Sequence, residues 1–284
     1  MTTKRRRIAC VIFLVLVCVW VGLSPRVCTS LYTDELFHPD LGNGSQTELR
    51  SFSETENHEV YFRTSDGTML HGWLYVKPGS KRIVLVHPGN AGDMAGRLYL
   101  TRLLLQSGVS VFQYEPRGFG ASPGKPSVKT ICADGIAAYD FVVGTLGYAP
   151  AHVVLYGMSL GAGVATHVAS NRPAGGLVIH AGFSSLTRIA KEKMPVLRIY
   201  PSWMFPTPRL DNAAIVEQSG HPPLIILHGE KDAVIPVEHG EEIYNRAASP
   251  KEFVRFPKSG HADFDPDDIK SFVTTMRKFL AKLP

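Results

Sequence analysis

The chain has 284 residues, of which 44% are hydrophobic and 19% are charged. This ordinary composition excludes collagen, a coiled coil and wholesale disorder, and four cysteines are too few for a disulfide scaffold. Five basic residues, Lys4–Arg7 and Arg26, account for the net charge of +5, because residues 1–30 contain no acid. Subtracting them from the 30 Lys and Arg residues leaves 25 against 25 acids, so charge gives no reason to expect a nucleic-acid partner.

A membrane-targeting signal occupies the N-terminus. Lys4–Arg7 precede an apolar run, residues 8–23, whose only polar side chains are two cysteine thiols. At about 1.5 Å per residue, a helix of this length spans roughly 24 Å, less than the ~30 Å hydrocarbon core of a bilayer. We predict an uncleaved membrane anchor in residues 1–30, with its basic cluster in the cytosol and the rest of the chain on the opposite side.

Two other interpretations of the N-terminus remain open. A signal peptide cleaved after Ser30 would leave a secreted or periplasmic protein, although the cleavage site is weak. A buried core helix is disfavoured because its basic flank is hard to bury. Residues 31–57 are polar, contain the run Gly42–Ser45, and are predicted to be a linker to a globular domain over residues 58–284.

The rest of the chain alternates predicted strands and helices. Continuous apolar runs such as Ile83–Val86 suit parallel strands that are buried on both faces, and Ser65–Thr68 suits a hairpin turn. This order predicts an α/β fold with a mostly parallel eight-stranded sheet and helices on both faces. The predicted strands are Val60–Thr64, Leu70–Val76, Arg82–His87, Val109–Glu115, His152–Tyr156, Gly176–His180, Leu224–Leu227 and Lys251–Phe256, and the predicted helices cover about 94–106, 127–143, 160–170, 238–247 and 266–282.

Residues 183–222 interrupt this alternation. The stretch is rich in proline and aromatic residues and lies between two predicted strands, so we expect a short insertion that covers part of the domain. Trp203, Met204 and Phe205 are predicted to line an apolar substrate pocket beneath it, with plain packing as the alternative.

The pattern G-x-S-x-G occurs at Gly157–Gly161, directly after a predicted strand and before a predicted helix. In that context, a sharp turn lifts the Ser159 hydroxyl off the sheet, and the flanking glycines avoid clashes. The N–H of Leu160 then lies at a helix N-terminus, where developing negative charge is stabilised. The pattern predicts Ser159 as a nucleophile, against the alternative of a glycine-rich turn without function.

A serine hydroxyl is a weak nucleophile and needs a base with an orienting carboxylate. Asp232 and His261 follow the last two predicted strands, in the order Ser, acid, His that this context requires. Carboxyl ends of parallel strands share one edge of a sheet, so the three side chains are predicted to meet. Glu230 and Asp263 remain alternative acids in the same loops.

The loop after the third predicted strand, residues 88–92, is expected to supply a second oxyanion donor beside the N–H of Leu160. We predict the backbone N–H of Asn90, with Ala91 next, and a plain strand-to-helix turn is the alternative. No metal-binding motif and no phosphate-binding loop occurs in the sequence, so no cofactor is expected.

The chain resembles the α/β-hydrolase superfamily, in particular its Bem46-like and alpha/beta-hydrolase-domain 12/13/17-like branch. The likeness covers residues 58–282 and rests on seven motifs in one order: Asp66–Thr68 with Leu70–Trp73, Pro88–Gly92, Tyr114–Gly124, Gly157–Gly161, Phe183–Leu186, His228–Pro236 and Gly260-His261. It implies an α/β-hydrolase fold and a triad of Ser159, Asp232 and His261. Two departures occur: Pro88 stands where the family usually has histidine, and Pro116 interrupts a common Tyr-Arg-Gly.

The residues and the resemblance together predict a serine hydrolase that cleaves esters or thioesters of an acyl or lipid-like substrate. A serine peptidase on the same triad is the alternative, although acids that would bind a substrate amine are few in the insertion (Glu192, Asp211 and Glu217). A non-catalytic binding protein is a third hypothesis. Oligomeric state does not follow from the sequence.

Overall fold

The structure, a computed structural model, describes residues 3–39, 51–218, 220–261 and 263–284. Its strands are β1 (Glu56–Arg63), β2 (Met69–Val76), β3 (Ile83–His87), β4 (Ser110–Glu115), β5 (Val153–Met158), β6 (Gly176–His180), β7 (Leu224–Gly229) and β8 (Lys251–Phe256). Its α-helices are α1 (Thr3–Gly22), α2 (Ser30–Leu36), α3 (Leu98–Gln106), α4 (Val128–Gly144), α5 (Leu160–Ala169), α6 (Leu186–Lys193), α7 (Asn212–Glu217), α8 (Val237–Arg246) and α9 (Pro266–Lys282).

The strands form one eight-stranded sheet in the order β1-β2-β4-β3-β5-β6-β7-β8. β2 pairs antiparallel with both β1 and β4, and every pair from β4 to β8 is parallel. The hairpin predicted at residues 65–68 joins β1 to β2, with Gly67 at a φ of 85°. The predicted α/β fold, with its mostly parallel eight-stranded sheet, is therefore confirmed.

Burial on both faces explains the continuous apolar strands. In β3, Ile83 and Leu85 pack on the side of α4, α5 and α8, whereas Val84 and Val86 pack on the side of α3 and α9. Successive side chains of a strand point to opposite faces, so a sheet covered on both sides needs apolar residues at every position. Parallel pairing then gathers the loops that follow β3, β5, β7 and β8 at one edge.

The N-terminal helix α1 exposes most of its apolar side chains. Eleven large apolar residues from 8 to 23 are at least 37% exposed, among them Phe13 and Leu16. Trp20, near its end, stacks on Tyr200 with ring centroids 5.6 Å apart. No helix in the described part of the chain has both the length and the apolarity that a membrane span requires.

Part of the segment predicted as a linker packs against the domain. Residues 30–36 form α2, and Phe37 after it is only 5% exposed, within the main core. The cause is a pair of apolar residues, Leu36 and Phe37, in an otherwise polar stretch. Residues 40–50, which include the run Gly42–Ser45, lie outside the described residues.

The insertion predicted at 183–222 contains α6, α7 and two short 3₁₀-helices, Pro195–Ile199 and Ser202–Met204. Its own small core joins Leu197, Tyr200, Met204 and Phe205, with Trp20 and Tyr32 packed against them. Arg26 donates hydrogen bonds from its backbone N–H to Met204 O at 2.9 Å and from Nη1 to Trp203 O at 3.0 Å. The insertion is thus packed against the N-terminal segment.

Candidate active site

The turn between β5 and α5 holds Ser159 in a strained backbone. Its φ of 54° and ψ of −118° lie in a region that L-residues rarely occupy, at a cost of about 1–3 kcal/mol. The Ser159 N–H donates to His180 O at 3.0 Å, which fixes the turn to the neighbouring strand. The side chain therefore projects at the carboxyl edge of the sheet, as the sequence pattern predicts for a nucleophile.

Both flanking glycines are required by close backbone contacts. A Cβ at Gly157 would lie 2.3 Å from Gly161 O, and a Cβ at Gly161 would lie 2.1 Å from His87 O. Neither distance is compatible with a side chain. The motif therefore exists because helix α5 passes directly over the ends of β5 and β3, which only glycine permits.

Three predicted site residues meet in one hydrogen-bonded row. His261 Nε2 lies 2.9 Å from Ser159 Oγ, and His261 Nδ1 lies 2.7 Å from Asp232 Oδ2. A carboxylate only accepts, so Nδ1–H donates to Asp232 and leaves the Nε2 lone pair for the serine hydroxyl. This is the tautomer that a general base toward Ser159 requires.

The carboxylate of Asp232 is held ionised. Burial by itself would raise its pKa, but hydrogen bonds from His228, from His261 and from the backbone N–H of Ile235 outweigh burial and hold the pKa well below its usual range. Its Oδ1 accepts from the N–H groups of Val234 and Ile235, both at 2.8 Å. The negative charge therefore persists at neutral pH beside the imidazole.

The structure distinguishes the three acids that the sequence left open. Asp232 is 7% exposed and contacts His261, whereas Glu230 and Asp263 are exposed at the surface. The reason is local: two backbone N–H groups of the turn after Asp232 orient its side chain inward. Asp232 is thus the acid whose geometry fits the predicted role.

The predicted oxyanion loop, residues 88–92, is held by residues far away in sequence. Asn90 O accepts from the His38 N–H at 2.8 Å, and Asn90 Nδ2 donates to Leu36 O at 3.1 Å. On the other side, Arg97 Nη1 donates to Ala91 O at 3.2 Å.

The other predicted oxyanion donor, the N–H of Leu160, lies at the start of a helix. Leu160 is the first residue of α5, and N–H groups of a first helical turn lack intrahelical acceptors.

The departure at Pro88 leaves the preceding histidine in the core. His87 is fully buried, its Nδ1 lies 3.0 Å from the Tyr114 hydroxyl, and burial lowers its pKa to about 3. A Cβ at Gly89 would lie 3.5 Å from Ser159 Cβ, so the loop backbone passes close to the nucleophile. Although histidine stands at position 87 rather than at position 88, the backbone of the loop still lies beside the nucleophile.

The predicted pocket residues lie in different surroundings. Trp203 is 56% exposed, and Met204 and Phe205 are buried in the small core of the insertion. None of the three is among the residues that line a small cavity beside Leu160. The alternative of plain packing describes Met204 and Phe205 better than the predicted pocket does.

Sequence reasoning missed two parts of this site. His180 holds the Ser159 turn through its carbonyl and places its ring on Phe264, with centroids 5.1 Å apart. Leu36–His38 hold the oxyanion loop from outside the predicted domain. The carbonyl of His180 leaves no sequence signal, whereas the apolar pair Leu36-Phe37 within a polar stretch is a signal that could have been used.

The sequence matches a known family and several curated proteins. Residues 78–221 match the family model Hydrolase_4, described as "Serine aminopeptidase, S33". The uncharacterised protein Rv2307c of Mycobacterium tuberculosis is 34% identical over 226 residues, which cover 79% of each chain. Alpha/beta hydrolase domain-containing protein 17C of Xenopus tropicalis is 30% identical over 211 residues, 73% of this chain and 65% of the relative.

Solved structures share the fold at low sequence identity. The esterase Pf2001 of Pyrococcus furiosus superimposes with a TM-score of 0.67 at 19% identity, covering 83% of this chain and 95% of its own. An alpha-beta serine hydrolase homologue from Coxiella burnetii gives a TM-score of 0.59 at 20% identity, covering 80% and 99%. At these identities the likeness is one of fold.

Proposed function

Because the chain belongs to the Hydrolase_4 family of α/β-hydrolases, we propose that it is a serine hydrolase that cleaves carboxylic ester or thioester bonds of acyl substrates. The observation that carries the proposal is the hydrogen-bonded row from Asp232 through His261 to Ser159. The row ends on a serine in a strained turn, 8% exposed, where its hydroxyl is fixed toward the base.

The geometry suits a two-step acyl transfer. His261 Nε2 takes the Ser159 proton as Oγ attacks the acyl carbon, and the oxyanion that forms accepts hydrogen bonds from the N–H groups of Asn90 and Leu160. Collapse breaks the bond to the leaving alkoxide or thiolate, which takes the proton from the imidazolium. A water molecule, deprotonated by His261, then attacks the acyl-enzyme and releases the carboxylic acid together with free Ser159. Asp232 stabilises the imidazolium in both steps.

A serine peptidase is the second candidate, because the matching family model is described as a serine aminopeptidase. An aminopeptidase needs acids free to bind the substrate ammonium. The three acids of the insertion already have partners: Glu192 pairs with Arg188 and His239, Asp211 accepts from the Ala214 N–H, and Glu217 pairs with Arg246. These pairings favour the ester hydrolase over the peptidase.

We also propose that α1 attaches the protein to a membrane. Its exposed apolar side chains need a lipid or protein surface to cover them, and Lys4–Arg7 are placed to contact anionic headgroups. The full chain should float with phosphatidylcholine–phosphatidylserine vesicles, and the variant Leu14→Asp/Leu16→Asp should not. Val234→Asp, at an apolar residue exposed on the domain, is the matched control and should float.

The side of the membrane on which the domain lies is tested by protease protection. We propose that the domain lies opposite the basic cluster; because the apolar run 8–23 is shorter than the hydrocarbon core, this arrangement requires the bilayer to thin locally around it. A protease added on the side of the domain should then digest the domain and spare an N-terminal tag. Digestion of the domain and of the N-terminal tag by a protease added on one side of the membrane would mean that α1 lies on the membrane surface and does not cross it. Loss of the tag on secretion would mean that the segment is cleaved.

The enzymatic proposal is tested on the full chain in detergent. A fluorophosphonate probe should label the wild type and leave Ser159→Ala unlabelled, and p-nitrophenyl esters from acetate to palmitate should be hydrolysed only by the wild type. Ser159→Ala should lower kcat/KM by roughly 10⁴-fold or more with its Tm unchanged. A folded wild type that neither reacts with the probe nor cleaves esters would favour the binding-protein hypothesis, and cleavage of aminoacyl anilides alone would favour the peptidase.

A further inference from the structure

Phe37 is a buried residue contributed to the site by the N-terminal segment. It follows α2, its N–H donates to Thr33 O at 2.8 Å, and only 5% of it is exposed. The residues on both sides of it hydrogen-bond to Asn90, so the ring is held where it packs beneath the oxyanion loop.

A small cavity lies between this ring and the nucleophile turn. Its volume is about 10 Å³, room for about one water molecule, and its lining includes Phe37, Gly89, Leu160 and Val164. Gly89 passes within van der Waals distance of Ser159, and Leu160 directly follows Ser159. One wall of the cavity is therefore shared with the turn that carries the nucleophile.

We propose that Phe37 limits the length of the acyl group that the site accepts. The inference rests on the proposed ester hydrolase function. When the acyl carbonyl oxygen lies between the N–H groups of Asn90 and Leu160, the end of a short acyl chain enters the cavity lined by Gly89 and Leu160, which has room for a group of about the size of one water molecule. The phenyl ring of Phe37 closes this cavity, so short acyl groups fit and longer ones do not.

Two other large aromatic side chains around the cavity come from β4 and from the turn after it. Tyr114 lies on β4, and its hydroxyl is hydrogen-bonded to His87 Nδ1. Phe119 is 2% exposed in the turn after β4. Phe37 instead comes from outside the sheet and is held by main-chain hydrogen bonds, which a change of its side chain leaves in place. It is thus the aromatic wall residue that comes from outside the sheet, and because it is part of the main core, its truncation should lower Tm as well as enlarge the cavity.

The test compares kcat/KM for p-nitrophenyl esters from acetate to palmitate, using the full chain in detergent. The wild type should prefer short esters. Phe37→Ala should move the optimum at least two carbons longer, and the ratio of octanoate to acetate kcat/KM should rise at least tenfold, since each further buried methylene contributes about fourfold. Phe37→Leu should give a smaller shift in the same direction.

Phe62→Ala is the matched control, because Phe62 is equally buried in the same core and does not line the cavity. It should lower Tm and keep the wild-type ratio. If the wild type cleaves esters and both Phe37→Ala and Phe37→Leu keep its ratio of octanoate to acetate kcat/KM, the role assigned to Phe37 is overturned and the proposed function is not. A wild type that cleaves no ester would overturn the proposed function and this inference together.

Discussion

The two sides of the candidate site are held by different means. The turn at Ser159 is fixed by its own neighbours, the glycines at 157 and 161 and the ends of adjacent buried strands. The oxyanion loop is fixed by Leu36 and His38, more than 50 residues earlier in the chain, and by Arg97. The comparison shows that the position of the Ser159 turn is set by the sheet itself. The position of the oxyanion loop depends in addition on the N-terminal segment that follows α1.

We expect the largest loss of activity from a substitution in the Ser159 turn, the side of the site that is held by its own neighbours. Gly161→Ala places a Cβ 2.1 Å from His87 O, a backbone atom that cannot move without displacing β3. We expect loss of fluorophosphonate labelling, with loss of folded protein where the sheet cannot adjust. Gly144→Ala is the control, because its Cβ would meet nothing within 4 Å, and it should label like the wild type. Normal labelling of Gly161→Ala would contradict the close approach of α5 to β3.

Removal of the Asp232 charge should be nearly as severe. Asp232→Asn keeps the shape of the side chain but no longer fixes Nδ1–H of His261, so kcat/KM for p-nitrophenyl acetate should fall about 10³- to 10⁴-fold. Glu230→Gln, two residues away and exposed, should stay within twofold of the wild type. Equal losses in the two variants would show that Asp232 is not the orienting acid.

Low pH should lower the free energy of unfolding through two buried histidines, His87 before the oxyanion loop and His180 beside the Ser159 turn. Burial lowers the pKa of His87 and of His180 to about 3, and for His180 the neighbouring imidazoles of His228 and His261 lower the pKa further. The unfolded chain binds protons near pH 6.5 and the folded chain does not, so stability falls as pH drops from about 7 toward 3. At pH 5 each group should cost about 2 kcal/mol of the free energy of unfolding.

Urea unfolding at pH 7.5 and pH 5.0 measures this loss. His180→Gln should flatten the dependence of stability on pH, and His58→Gln, at a half-exposed side chain, should leave it unchanged. A pH dependence of His180→Gln equal to that of the wild type would show that His180 is not buried in its neutral form.

We expect the smallest loss of activity from substitutions in the N-terminal segment that holds the oxyanion loop. His38→Pro removes the N–H that donates to Asn90 O, whereas His38→Ala keeps it. Since a hydrogen bond is worth about 1 kcal/mol net, kcat should fall about five- to tenfold in His38→Pro and remain near wild type in His38→Ala. Equal kcat values in the two variants would mean that the N-terminal segment does not position the loop.

Sequence alone was enough to predict the sheet and the place of its loops. Apolar runs such as Leu224–Leu227 have to be buried on both faces, and parallel pairing brings the ends of β5, β7 and β8 to one edge. The spacing of Gly157 and Gly161 around Ser159 carries its own steric reason. Residue type and local order therefore determined the fold and brought Ser159 and His261 into the same region.

Only the tertiary structure decided which partners these residues contact. Asp232, rather than Glu230 or Asp263, faces His261 because turn N–H groups orient it inward, which is a matter of side-chain direction and not of spacing. Met204 and Phe205 pack against the N-terminal segment, and Phe37 reaches the oxyanion loop across more than 50 residues. Such contacts depend on how distant segments share one volume, and no local pattern in the sequence encodes that.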